Sequence, residues 1–152
     1  LKGRAPTNDI EILNFISEFV GKQNIIIKLH PRTIVDRFSS LGYKVISQSN
    51  YPWEVIALTQ NISDKILLSS FSTASYSGKY ICNQNQISIF LFNLLNTHDL
   101  LYSYLPFKSF VNKLKLTLNS DGCLMYTPKS IEDLFQLLLY FRGIERGYLN
   151  NV

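Results

Sequence analysis

Cysteine is nearly absent, and the two that occur, Cys82 and Cys123, stand far apart with no CxxC or Cys/His spacing around them. This excludes a disulfide framework and a zinc site of ordinary spacing, and it fits a reducing cytoplasm. Long apolar runs are also missing. The longest, Ile87 to Leu95, is broken by Ser88 and Asn93 and falls well short of the roughly 20 residues a spanning helix needs. The chain has neither an initiator Met nor the apolar stretch of a signal peptide at its start, Leu1-Lys2-Gly3-Arg4-Ala5-Pro6, so it is expected to begin inside a longer protein. Lys and Arg number 15 against 11 Asp and Glu, a net charge of +4, but the excess is scattered and forms no polybasic tract. Without zinc spacing or an RNA-binding aromatic signature, a nucleic-acid partner is not expected.

What is present is core. Hydrophobic residues make up 46% of the 152, with ten Phe and nine Tyr, which excludes disorder and suits a single domain over residues 1–152. Strand and helix patterns alternate. Thr7 or Asn8 precedes a helix with Ile10, Leu13, Phe15-Ile16 and Phe19-Val20 on one face, and Gly21 stops it. A strand at Ile25 to Leu29, a short helix from Thr33 to Phe38 and a strand at Lys44 to Ser47 follow. The turn Ser49-Asn50-Tyr51-Pro52 opens a helix through Leu58, and a strand at Lys65 to Leu68 leads to a small-residue helix over Ser70 to Ser77 that ends at Gly78. Lys79 to Cys82 and Ile87 to Phe92 read as strands. Pro106 to Leu116 reads as a basic amphipathic helix, Cys123 to Tyr126 as the last strand and Ile131 to Phe141 as a helix stopped by Gly143. This alternation predicts an α/β domain, an open parallel sheet with helices on both faces.

In such a sheet, ligands bind beyond the carboxyl ends of the strands, where loops and helix N-termini present backbone N–H groups. Two expected strand exits are chemically distinctive. One is Lys28-Leu29-His30-Pro31-Arg32, where the proline stiffens a turn carrying an imidazole and a guanidinium. The other is Ser69-Ser70-Phe71-Ser72-Thr73-Ala74, where hydroxyls gather at a helix start. Together they suit a phosphate held while a bond to it breaks. Each also has a plain structural reading: a histidine bonded to a backbone carbonyl, and Ser or Thr as helix caps. Glu54, in a first helical turn, is either favoured by the helix dipole or placed to accept ribose hydroxyls. Asp9 is a candidate proton acceptor, or equally a dipole-compensating carboxylate. His98-Asp99 carries no assigned role.

Lys-x-His-Pro-Arg at a strand exit, Tyr-Pro-Trp-Glu-Val-Ile opening a helix and a strand ending in Phe-Ser-Thr-Ala follow in order over about Thr7 to Lys79. This series resembles the nucleotide-binding half of bacterial sialyltransferases of the lipooligosaccharide, capsule and polysialic-acid type. The resemblance implies a Rossmann-like domain, one half of a GT-B pair whose N-terminal partner domain lies elsewhere in the same protein. It further implies an inverting, metal-independent transfer of sialic acid from CMP-sialic acid to a hydroxyl of a cell-surface glycan. His30 would contact the donor phosphate and protonate the departing CMP. Ser72 and Thr73 would clamp the same phosphate, with Lys28, Pro31 and Arg32 beside it, and Glu54 would meet the ribose. The Asp/Glu-Asp/Glu-Gly motif some of these families use for the base is absent, which leaves Asp9 as the local candidate. Other His-Pro glycosyltransferases, glycerophosphotransferases and a non-catalytic nucleotide-binding module stay open as alternatives. A peripheral contact with an anionic leaflet, through Lys108 to Lys115 and the apolar positions of the last helix, is a further expectation.

Overall fold

The computed structural model describes residues 8–30, 33, 35–46, 52–63, 65–96 and 105–145. It is a mixed α/β structure of five α-helices and two small parallel sheets among those residues. The helices are α1 (Asp9–Val20), α2 (Trp53–Thr59), α3 (Ala74–Cys82), α4 (Leu105–Ser120) and α5 (Ile131–Glu145). The strands are β1 (Ile26–Lys28), β2 (Lys44–Ile46), β3 (Ile66–Ser69), β4 (Ile87–Phe90) and β5 (Leu124–Tyr126). β1 pairs with β2, and β3, β4 and β5 form the second sheet in that order. The expected parallel pairing is therefore present, but the single open sheet is divided: among the described residues no ladder joins β1 to β3.

Alternation along β4 builds the two sides. Ile89 and Leu91 join Ile12 and Ile16 of α1 and Leu134, Leu138 and Phe141 of α5 in one core cluster. Phe90 and Phe92 point the opposite way, to Phe107, Val111 and Leu118 of α4 and to Cys123 and Met125. Successive strand residues face opposite sides, so the adjacent buried pair Ile89 and Phe90 requires apolar cover on both. Of the apolar positions of α5 that read as core or as a membrane face, Leu134, Leu138 and Phe141 are interior, Leu137 is half-buried and Tyr140 is exposed.

α3 differs from expectation. Gly78 does not stop a helix, and Lys79 to Cys82 is no strand: the helix runs on to Cys82 and ends at Asn83, in the left-handed region at φ 50°. Gly78 is buried because α3 lies close against the sheet. A Cβ there would stand 2.6 Å from Ile62 Cδ1 and would press on Gln86 Oε1. The seam around it is polar: Gln86 Nε2 (2.6 Å) and Ser88 Oγ both donate to the Ser75 carbonyl, and Ser75 Oγ donates to Ser69 Oγ at 2.8 Å. A glycine that permits close approach and one that ends a helix look alike in a sequence.

Of the helix expected over Thr33 to Phe38, the described residues 33 and 35–38 form none. Asp36 instead accepts the N–H groups of Phe38 (2.8 Å) and Ser39 (3.0 Å), an Asx turn that competes with helical bonding. It leads into a single tight turn at Ser39–Leu41. α5 continues through Gly143, its start fixed by Ser130 Oγ accepting the Asp133 N–H and Asp133 accepting the Lys129 N–H. The expected turn at Ser49-Asn50-Tyr51 and the end of the second strand at Ser47 lie outside the described residues.

An exposed Gly→Ala change in a helix interior stabilises by about 1 kcal/mol. Gly78→Ala is expected to do the reverse, destabilising by about 1–3 kcal/mol through overpacking. A lower urea midpoint with an unchanged slope is the expected measurement.

Candidate functional site

Chain direction decides which loops share an end. The start of α1 is tied to the exit of β4: Asn8 Nδ2 donates to the Leu94 carbonyl at 2.8 Å, and Asn8 Oδ1 accepts the Asn96 N–H at 2.7 Å. Its last turn is tied to the far part of α5, where Arg142 donates to the Phe19 carbonyl at 3.3 Å. α1 therefore descends from the carboxyl end of β4 over 12 residues, a drop of about 18 Å. Past Gly21 the chain turns into β1, and the loop after β1 returns to the start of α1, where Arg37 pairs with Asp9. His30 comes out at the end from which α1 set off. β2 is parallel to β1 and β3 to β4, so the start of α2 with Glu54 and the start of α3 with Ser72 lie beyond strand exits as well.

His30 is exposed, and its carbonyl accepts the Thr33 N–H at 2.8 Å in a tight turn. Lys28 ends β1, with Nζ 3.4 Å from the Leu29 carbonyl. Pro31 and Arg32 lie outside the described residues, as does His98-Asp99. Glu54 occupies the first turn of α2, half-buried, beside Trp53, whose indole Nε1 is buried without a hydrogen-bond partner among the described residues.

The hydroxyl cluster separates into two groups. Ser69 and Ser75 are bonded to each other beneath α3 and belong to the polar seam. Ser72 Oγ accepts the Ala74 N–H at 3.3 Å, and the Ser72 and Thr73 carbonyls accept the first helical bonds of α3. Ser72 is thus a helix-start residue, half-buried, and Thr73 beside it is exposed. Phe71 positions both. Its ring lies 5.0 Å from those of Phe90 and Phe107 and 6.2 Å from that of Phe92, which anchors the turn in the aromatic core.

Asp9 does not stand open as a base. Its carboxylate forms an ion pair with Arg37, one contact at 3.4 Å and a second, shorter one through Nη2 and Oδ2. The Arg37 guanidinium also lies 5.5 Å from the Phe38 ring. Arg37 and Asp36 fall in the segment expected to be helical, where the helical pattern gives neither a functional role. The order Asp36-Arg37-Phe38-Ser39, an Asx turn followed by a hydroxyl, is the signal that points to them.

An open depression of about 350 Å³ beyond β5 is lined by Tyr126, Thr127, Pro128, Asp133, Gln136 and Leu137. None of the expected site residues lines it. Among the described residues no group of three His, Cys, Asp or Glu is placed to hold a metal ion, and no helix is long and apolar enough to cross a membrane. Comparison with protein-family models, curated proteins and solved structures finds no match.

The Asp36 carboxyl is held below its ordinary value, first by the Ser39 hydroxyl and then by the N–H groups of Phe38 and Ser39. A lowered native value means that its stabilising effect is complete above the unfolded value, near pH 4, and is lost as pH falls through the native one. The Ser39 amide resonance should therefore shift on acidification below about pH 4, and Asp36→Asn should abolish that transition.

Proposed function

We propose that this chain is the donor-binding half of an inverting, metal-independent glycosyltransferase that moves sialic acid from CMP-sialic acid to a glycan hydroxyl. One observation carries the reading. A histidine exposed at a parallel-strand exit and a Ser-Thr pair at the start of a helix after another parallel strand are the two elements the motif series demands. A phosphate between them would meet the imidazole on one side and hydroxyls with helix N–H groups on the other. Glu54 at the start of α2 suits ribose recognition.

The chemistry follows from these roles. Cleaving the bond between sialic acid and CMP leaves negative charge on the phosphate. His30 in its protonated form neutralises that charge by donating a proton, while Ser72 and Thr73 donate hydrogen bonds to the other oxygens. The acceptor hydroxyl loses its proton to a base. Asp9, paired with Arg37, is unsuited to that step, so we place the base in the N-terminal domain that the sialyltransferase resemblance implies. The Rossmann-like, GT-B architecture is part of the same proposal. Peripheral membrane contact narrows to α4, where Lys108 and Lys113 are exposed beside Leu116, 74% accessible.

Calorimetric titration of the full-length protein should rank CMP above UDP and CDP. A preference for either of the others removes the sialyltransferase assignment and favours another His-Pro glycosyltransferase or a glycerophosphotransferase. His30→Ala in the full-length protein should lower kcat by about 10²-fold or more, as expected for loss of a general acid. Ser72→Ala with Thr73→Ala should raise the Kd for CMP by about tenfold or more, and an unchanged affinity would remove the clamp.

A further inference from the structure

The two elements of the proposed site stand on different sheets, His30 after β1 and Ser72 with Thr73 after β3, and no ladder joins β1 to β3 among the described residues. Strand pairing, the usual device that fixes neighbouring loops, does not set their separation. A polar chain bridges the gap instead. Arg37, at the far end of the loop that His30 begins, pairs with Asp9 at the first residue of α1. The residue before it, Asn8, bonds to both Leu94 and Asn96 beyond β4. β4 in turn pairs with β3, the strand that ends at Ser69.

We infer that Asp9 and Arg37 form an ionic latch that positions the His30 loop against the sheet carrying the Ser72 turn. Asp9 is a positioning residue, not a proton acceptor. Three features support this assignment. The carboxylate is engaged through both oxygens, Arg37 is further placed over the Phe38 ring, and the pair is only partly exposed, at 37% for Arg37 and 20% for Asp9. A planar guanidinium on both oxygens of a carboxylate fixes orientation as well as distance, and incomplete exposure limits screening by salt. Past it, Asp36 accepts the Ser39 N–H and Lys22 donates to the Leu41 carbonyl at 2.8 Å, so residues 39–41 have contacts of their own. Among the described residues, the Arg37–Asp9 pair ties the loop to the start of α1.

The inference rests on the proposed donor site for its consequence, but not for its test. Charge exchange separates a latch from a base. In the full-length protein, Asp9→Arg and Arg37→Asp are each expected to speed amide exchange at Thr33 and Phe38 by about tenfold or more and to raise the Kd for CMP by about tenfold. The double exchange should restore both to within about threefold of the parent. The milder Asp9→Asn, which keeps shape and removes charge, should shift the same readouts in the same direction, so a misfolded reversal variant does not decide the question. If Arg37→Asp and Asp9→Asn leave exchange at Thr33 and Phe38 unchanged, or the double exchange fails to recover it, the latch is overturned. If Asp9→Asn abolishes turnover while exchange and CMP affinity stay at parent values, Asp9 is a base and the inference fails. Should the parent protein not bind CMP while the exchange pattern appears as described, the latch stands and the nucleotide reading falls.

Discussion

The structure depends on one strand being apolar on both faces. β4 and the two residues just past it present Ile89 and Leu91 to α1 and α5, and Phe90 and Phe92 to α4 and the Phe71 turn. With Ile89 and Phe90 fully buried, neither layer of helices can leave without exposing half of the strand to water. Burial of side chains this large is worth about 1.5–3 kcal/mol each. The strand thereby fixes where its neighbours lie and which loops emerge at its carboxyl end.

A polar seam runs through one of those layers. Ser69, Ser75, Ser88 and Gln86 share bonds beneath α3, and Gly78 lets the helix sit close enough to make them. Burial also pushes the Cys123 thiol up, despite the Gln86 carbonyl that its Sγ donates to at 3.3 Å. The same crowding separates the hydroxyls by role. Those under the helix are consumed by the fold, and those at its start, Ser72 and Thr73, lie where an anion could be met. Phe71, between the two groups, converts aromatic packing into a fixed position for the turn.

The first sheet is held in a different manner. β1 and β2 are three residues each and gain their place from α1, through Ile25 packed against the α1 and α5 core and Tyr43 donating to Asn14 at 3.0 Å. At the upper end the connection becomes polar, from Arg37 through Asp9 and Asn8 to Leu94 and Asn96. Among the described residues no ladder joins the two sheets, and these side-chain bonds connect the loop after β1 to the exit of β4.

Local pattern was enough to read α1, α2, α4, α5, all five strands and the exposed His30 exit, because the apolar period and the proline and glycine punctuation act over a few residues. It was also enough to bring out the Ser72-Thr73 pair, though not to separate it from Ser69 and Ser75, which carry the same chemistry a few positions away. Two matters belonged to the tertiary structure. Whether Gly78 ends a helix or allows one to approach a sheet depends on Ile62 and Gln86. Whether Asp9 is an open carboxylate or half of an ion pair depends on Arg37, 28 residues away. In each case the deciding partner is distant in the chain, and only folding brings it into contact.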